Sequence, residues 1–305
     1  MKLTEKPESV SEIAERTGID ELELSKKLEE LAQNGLIFRL REGDKCLYHV
    51  FQFVVGLYEF QINRMDREFC EIFEEYMPYF AMSMASVSTP QMRTVPVESA
   101  LGEISRVAPY DRIREMVKKE DIISVCRCIC RKELKLMGRT CPHPEEVCLM
   151  FGKFARFYIE NNFARQISSD EAIKILNLAE ENGIVLRPTN SQKLDAICCC
   201  CAHACIRNIA ALPNQGDIIG SSFKSVIDPA LCTGCGECIE ICHMEAVKDD
   251  NGIAVADENR CIGCGLCVDR CPVEAISMIK QEGKKEVPPE NFDKLLVQIA
   301  AERGI

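Results

Sequence analysis

Two segments of this chain, residues 232–242 and 261–271, carry one cysteine pattern twice. The first reads CTGCGECIEIC and the second CIGCGLCVDRC, each of the form C-x2-C-x2-C-x3-C. The likeness runs past the last cysteine, where MEAV at 244–247 answers VEAI at 273–276. Thiolates at this spacing suit [4Fe–4S] clusters, and the doubled run implies two of them. Three cysteines two residues apart lie on one tight loop, so their sulfurs converge on one cube. The fourth, three residues on, opens a short helix and points to the other cube. The expected ligand sets are therefore crossed: Cys232, Cys235, Cys238 and Cys271 for the first cluster; Cys261, Cys264, Cys267 and Cys242 for the second. Gly234, Gly236, Gly263 and Gly265 let the backbone approach the inorganic core and turn N–H groups toward its sulfurs. A zinc ribbon would use two separate C-x2-C pairs instead of four cysteines in one short run. The second copy ends Cys271-Pro272 and the first Cys242-His243. Proline is no ligand, so ligation is unaffected, but the local turn can differ.

The other cysteines raise the question of compartment. The chain has 305 residues, 20 of them cysteine, and no tryptophan. In a secreted chain so many thiols would form disulfides. Residues 1–30 are charged throughout and do not read as a secretory leader, and no apolar run reaches the length of a membrane span. The stretch 196–212 is apolar but interrupted by His203 and Arg207. The expectation is a cytoplasmic protein whose cysteines hold metal, in an anaerobic host. The net charge of −11 argues against nucleic acid and for a redox protein partner with a basic docking patch.

Upstream, residues 1–50 read as a winged helix-turn-helix. Ser9-x-x-Glu12 is a capping box opening a helix through Arg16, and Thr17-Gly18-Ile19 is the turn. Asp20-x-x-Glu23 caps a second helix with Leu24, Leu28 and Leu31 on one face, ended by Asn34-Gly35. LIFRL and CLYHV then flank Glu42-Gly43-Asp44 as a hairpin wing. The second helix carries Asp20, Glu21, Glu23, Glu29 and Glu30 against Lys26 and Lys27, a poor surface for the major groove. Arg39, Arg41 and Lys45 on the wing do little to offset it. Residues 54–77 are expected to form one long helix, with Tyr58, Ile62, Met65, Phe69, Phe73 and Tyr76 at helical spacing and Pro78 at its end. It packs its own domain or, as the alternative, makes a homodimer face. Residues 81–100, with Pro90 and Pro96, read as an extended connector.

Residues 101–215 hold ten further cysteines: Cys126, Cys128, Cys130, Cys141, Cys148, Cys198, Cys199, Cys200, Cys201 and Cys205. Helices are expected over 145–162, after Pro144, and over 169–182, between the Ser168/Glu171 capping box and Gly183. That hairpin can bring the two cysteine groups together. Four adjacent cysteines on a strand cannot chelate one ion, because their side chains alternate faces. Cys128, Cys130, Cys141 and Cys148 make one candidate set; Cys198, Cys200, Cys201 and Cys205 make another. One or two further iron–sulfur clusters are expected there, with zinc or free thiols as the alternatives. Arg127, Arg131 and Arg139 read as charge compensation, and His143 and His203 as hydrogen-bond donors to sulfur or as ligands. Cys46 and Cys70 read as plain core residues.

Taken in order, the chain offers MPYF, RTVPVE, APYDRIREMV and then C-x-CRKE-x-KLMG-x-x-C-x-x-P-x3-C-L-x-FG, followed by ICCCC and the doubled run. Over nearly its whole length it resembles a family of 4Fe–4S ferredoxin-domain proteins of strict anaerobes, methanogens among them. The resemblance implies iron–sulfur electron transfer and supplies no substrate. It matches the two candidate sets and leaves Cys126 and Cys199 as extras. Family members carry more cysteines where this chain has Ala202-His203-Ala204. The CCG signature of heterodisulfide reductase subunits is also missing, since Ala202 follows Cys200-Cys201.

The fold expected is α+β: a winged-helix-like domain (1–50), an aromatic helix and connector (51–100), a mainly helical Cys-rich domain (101–215), a two-[4Fe–4S] ferredoxin domain (216–282) and a helical tail (283–305). The function expected is an electron relay between the C-terminal clusters and the middle domain, serving or belonging to an anaerobic oxidoreductase system as an electron carrier or an oxidoreductase subunit. The alternatives are a redox-responsive transcription regulator and a reductase subunit with a catalytic cluster in the middle domain.

Overall fold

The computed structural model describes residues 3–101, 107–206, 221–281 and 287–304. The expected boundaries at 215/216 and 282/283 lie outside the described residues. Strand β1 (Glu8–Ser9) leads into α1 (Val10–Thr17), where Ser9 and Glu12 form the reciprocal capping box. Asp20 accepts the Leu22 and Glu23 N–H groups to open α2 (Glu21–Gln33), which buries Leu24, Leu28 and Ala32. Strands β2 (Phe38–Glu42) and β3 (Lys45–His49) pair as a hairpin, and β1 adds to β3.

The long helix expected over 54–77 is not formed. Phe53–Leu57 is an irregular turn with non-helical residues at Val54, Val55 and Gly56, and Glu59–Gln61 is a single 3-10 turn. Helix α3 (Arg67–Ala85) starts only where Asp66 accepts the Phe69 N–H, and it runs through Pro78 instead of stopping there. Two forces override the periodicity. Tyr58, Phe60 and Ile62 are all buried, because the irregular segment turns each of them inward. The proline removes a single helical hydrogen bond, which a capped helix of this length can absorb. On α3, Ile72, Tyr76, Tyr79 and Met82 form an exposed apolar stripe.

The connector is extended only after α3, and it is buried. Residues from Thr89 to Val97 are almost all covered, and Arg93 and Val95 donate to the Pro188 and Leu186 carbonyls. Helices α4 (Glu98–Leu101) and α5 (Ile113–Val117) follow.

The middle region, expected to be mainly helical, is built on a five-stranded antiparallel sheet. Its strands are β4 (Ile123–Arg127), β5 (Glu146–Phe151), β6 (Arg165–Ile167), β7 (Val185–Pro188) and β8 (Ala196–Cys200), in the order β6-β4-β5-β8-β7. EVCLMF and AICCC are buried on nearly every residue. Such runs have no two-residue period and cannot be told from buried helix by pattern. Between the strands come α6 (Ile129–Leu136), α7 (Gly152–Glu160) and α8 (Ser169–Glu181). The helix expected over 145–162 is thus strand β5 first and helix only from Gly152. Helix α8 lies where its cap placed it, with Ser168 accepting the Glu171 N–H. Helix α7 packs on β4 and β5, and α8 on β5 and β7.

In the C-terminal unit, β9 (Phe223–Ile227) pairs with β12 (Ile276–Lys280), and β10 (Val247–Asp250) with β11 (Ile253–Ala256). Each cysteine run opens a short helix, Glu237–Glu240 or Leu266–Asp269. The last helix, Phe292–Arg303, straps back onto the molecule. It buries Phe292, Leu295 and Ile299, and Glu302 accepts the Ser88 and Thr89 N–H groups. No described helix is long and apolar enough to cross a membrane.

Candidate metal centres

The doubled run folds as a pseudo-twofold pair. Gly234, Gly236, Gly263 and Gly265 all have positive φ. Cys238 has Cys235, Cys232 and Cys271 as its thiol neighbours, and Cys232, Cys235, Cys238 and Cys271 line one small hollow. Cys264 and Cys267 both have Cys261 and Cys242 beside them. The crossed grouping is therefore the one the backbone brings together. Amide hydrogens are already aimed at sulfur: Ala246 N–H to Cys242 Sγ at 3.2 Å, Ala275 N–H to Cys271 Sγ at 3.2 Å and Ala254 N–H to Cys232 Sγ at 3.4 Å. This donor set, two groups of four thiols with glycine loops and amide donors, fits two [4Fe–4S] clusters. Burial pushes Cys264 well above the ordinary thiol range and Cys267 up to about 12. Such thiols stay protonated until a metal replaces the proton.

The turn after each run is the same despite His243 standing where the other copy has Pro272: Glu245 and Glu274 have φ of 49° and 52°. The histidine acts at longer range, its Nε2 donating to the Gly183 carbonyl at 2.6 Å. With Arg270 on the Glu181 carbonyl at 2.9 Å, it ties the C-terminal unit to the end of α8.

The two loops differ in exposure. Thr233, Gly234 and Cys235 are open to solvent, whereas Ile262, Gly263, Gly265, Leu266 and Cys267 are buried. The Cys264 carbonyl accepts the Val97 N–H at 2.9 Å. Cys242, Cys261 and Cys264 share an apolar cluster with Cys198, Cys200 and Cys205 of the middle region.

In that region seven thiols form a continuous row. Cys126 and Cys148 face each other across β4 and β5, and Cys198 is opposite Arg187 across β8 and β7. Cys128 stands at the N-terminal boundary of α6, with Cys130 in its first turn. Thiol contacts link Cys126 to Cys148, Cys148 to Cys128, Cys128 to Cys130, Cys130 to Cys205, Cys205 to Cys200 and Cys200 to Cys198. Hydrogen bonds from Cys130 and Cys148 hold Cys128 well below the usual thiol range, while those two partners are pushed well above it. The row lines a cavity of about 210 Å³ whose other wall is mainly apolar, from Tyr58, Phe73, Met77, Phe80, Met84, Met92 and Met150, with Glu59, Gln91 and Glu133 among them. Cys199, on the alternate side of β8, belongs to a different core cluster from Cys200. The alternation of side chains along β8 thus sets Cys199 apart from Cys198 and Cys200, as strand geometry requires.

Neither expected four-cysteine set stays whole. Cys141 and Cys201, one from each, lie together with Sγ atoms 3.6 Å apart, and His143 and His203 join them. Arg131 is buried between the groups, donating to the Pro144 carbonyl at 2.6 Å, the Cys199 carbonyl at 3.0 Å and Cys201 Sγ at 3.7 Å. Despite its burial, Cys128 and Cys201 hold its pKa above the ordinary value. Arg139 pairs instead with Glu74 on α3, and Arg127 is exposed at the cavity edge. Arg187, 8 % exposed, lines the cavity beside Cys200, whose thiol the Cys198 hydrogen bond and burial push well above its ordinary range, with the Arg187 charge opposing them only weakly. The sequence reading missed it, although an arginine inside the apolar VLRP strand is the kind of anomaly that marks a charge to be neutralised. Cys70 is buried in α3, and Cys46 lies beside Arg41 at 3.0 Å.

Residues 225–278, which contain both cysteine runs, match the family model of the 4Fe–4S dicluster domain. This part of the chain is a ferredoxin-like 4Fe–4S domain. No curated protein and no solved structure matches the chain.

Proposed function

We propose that the chain is an electron relay between a surface port at the C-terminal clusters and the thiol-lined cavity of the middle region. The observation that carries this reading is the difference in exposure between the two repeats. Cys232, Cys235, Cys238 and Cys271 would hold the cluster nearest solvent. Cys242, Cys261, Cys264 and Cys267 would hold the one packed against the cysteines of the middle region. When bound, the clusters supply reversible one-electron transfer. The chain supplies burial, amide donors to sulfur and the buried cations Arg131 and Arg187, all of which set the potential.

The row of seven thiols divides into Cys126, Cys128, Cys130 and Cys148, enough for one further four-thiolate cluster, and Cys198, Cys200 and Cys205. Three thiols alone would leave an iron open. Together with the apolar wall of the cavity, that favours a second reading, a reductase subunit acting on a small apolar substrate there. The N-terminal helix pair and hairpin we read as a winged-helix-like unit in a structural or protein-docking role. Arg39 and Arg41 of its wing are both paired with Glu160, and Arg39 also with Glu29, so two of the wing's three cations are already engaged. The expected homodimer has the α3 stripe as its available surface. A reducing, cytoplasmic compartment suits the free thiols.

The test is an anaerobic iron and sulfide count with EPR. About eight irons per chain would mean the C-terminal pair alone, and about twelve to sixteen would include the middle region. Cys128→Ser is expected to remove only the irons above eight. A count of about eight in the native chain overturns the relay.

A further inference from the structure

We propose that Cys141, His143, Cys201 and His203 form a mononuclear zinc site, distinct from the iron–sulfur thiols. Two C-x-H steps, Cys141-Pro142-His143 and Cys201-Ala202-His203, meet from segments far apart in sequence. One comes from the loop between α6 and β5, the other from the turn after β8. Their four ligand atoms all lie within 4.8 Å of one another. Two sulfurs bound to one tetrahedral zinc at about 2.3 Å each are about 3.8 Å apart, and the observed Sγ separation is 3.6 Å. A disulfide would need about 2.0 Å. Tetrahedral S2N2 donor sets are typical of zinc.

A second observation is independent of that geometry. The Nε2 atom of His143 is buried without a hydrogen-bond partner. A buried ring nitrogen left so is unfavourable unless an ion or a donor satisfies it. His143 also has His203 and His243 nearby, with ring centroids at 5.4 and 6.4 Å, so three of the chain's four histidines crowd one corner. Arg131, fixed by two backbone carbonyls and reaching Cys201 Sγ at 3.7 Å, is the outer partner that orients and stabilises a ligating thiolate.

The donor set also separates zinc from a binuclear cluster. In a [2Fe–2S] centre with two cysteines on one iron and two histidines on the other, sulfur and nitrogen ligands stand at opposite ends of the cluster. Here all four ligand atoms lie within 4.8 Å of one another, in one compact group. With four protein ligands the site is closed, as structural zinc sites are. Its role is to clip the α6–β5 loop to the end of β8.

The experiment is metal analysis of the full-length chain purified anaerobically. About one zinc per chain is expected. His143→Ala and Cys201→Ser should each lower zinc at least tenfold while iron and acid-labile sulfide stay at the native count. His143→Cys, which keeps four ligands, should retain zinc. Cobalt(II) in place of zinc should give thiolate-to-metal charge transfer and tetrahedral ligand-field bands that both ligand-removing variants lose. Zinc absent from the native chain, or unchanged in both variants, overturns the proposal. So does joint loss of iron and sulfide with zinc, which would assign these residues to an iron–sulfur centre. Should the ligand-removing variants not fold, the native chain's zinc count and cobalt spectrum decide alone, and a missing cobalt–thiolate band overturns the site.

Discussion

Gly236 and Gly265 occupy the same position in the two repeats, with φ of 83° and 77°. A Cβ on Gly236 would meet nothing within 4 Å, whereas one on Gly265 would sit 2.6 Å from Ala100 Cβ. Alanine at either position carries a left-handed penalty of about 1–2 kcal/mol. Only Gly265→Ala must also push α4 away. We expect Gly236→Ala to lower the thermal midpoint slightly with the irons retained, and Gly265→Ala to lower it by several degrees more. Anaerobic calorimetry with an iron count checks both, and equal effects would contradict the packed second loop. Single residues were legible where chemistry is local. Spacing along eleven residues groups Cys232, Cys235 and Cys238, because one loop holds them. It cannot join Cys141 to Cys201, because nothing within either segment records that the α6–β5 loop folds against the end of β8. Arg187 escaped for a related reason: its significance is its cross-strand neighbour Cys198, which only pairing discloses.

Elements were legible where a side chain caps a backbone. Ser9, Asp20 and Ser168 each mark a helix start that the structure keeps, since a cap is a contact within a few residues. Strands β5 and β8 were not legible, because burial on both faces erases the alternation that identifies a strand. The segment before α3 failed in the opposite way: aromatic residues at helical intervals were drawn into the core by irregular backbone. The junction between α8 and the C-terminal unit rests on hydrogen bonds that cross between elements. His243 Nε2 on the Gly183 carbonyl and Arg270 on the Glu181 carbonyl fasten the ends of the two cysteine runs to the same helix end. His243→Pro restores the residue of the second repeat and keeps the turn, but deletes the first bond. We expect the eight C-terminal irons to remain and hydrogen exchange to quicken around 181–184 and 241–246. Unchanged exchange there would mean that the apolar contact of Ile241 with Gly183 holds the junction without the histidine.

Among the described residues of the whole molecule, acidic charge and exposure coincide at the first cysteine loop. The chain carries a net charge of −11, and Glu237, Glu240, Asp249, Asp250 and Glu274 are exposed around the open first loop. Glu237 and Asp249 line the hollow of Cys232, Cys235, Cys238 and Cys271 itself. The second loop is covered by Val97, Ala100 and Phe223, so a partner could not approach it as closely. Electron transfer to a small basic redox protein should therefore be steered by the field around the first loop. Such steering is screened beyond about 10 Å at 0.1 M salt and beyond about 3 Å at 1 M. We expect the bimolecular rate to fall steeply with ionic strength in the native chain. The double variant Glu237→Lys/Glu240→Lys should cut the low-salt rate at least tenfold and flatten the salt dependence, with the two rates converging near 1 M. The same charge change placed on α2 through Glu21→Lys/Glu30→Lys alters the net charge equally, but at the N-terminal helix pair. It should leave most of the low-salt rate intact. Stopped-flow measurement across a salt series separates the two: matched losses would show that net charge, not a local port, governs the encounter.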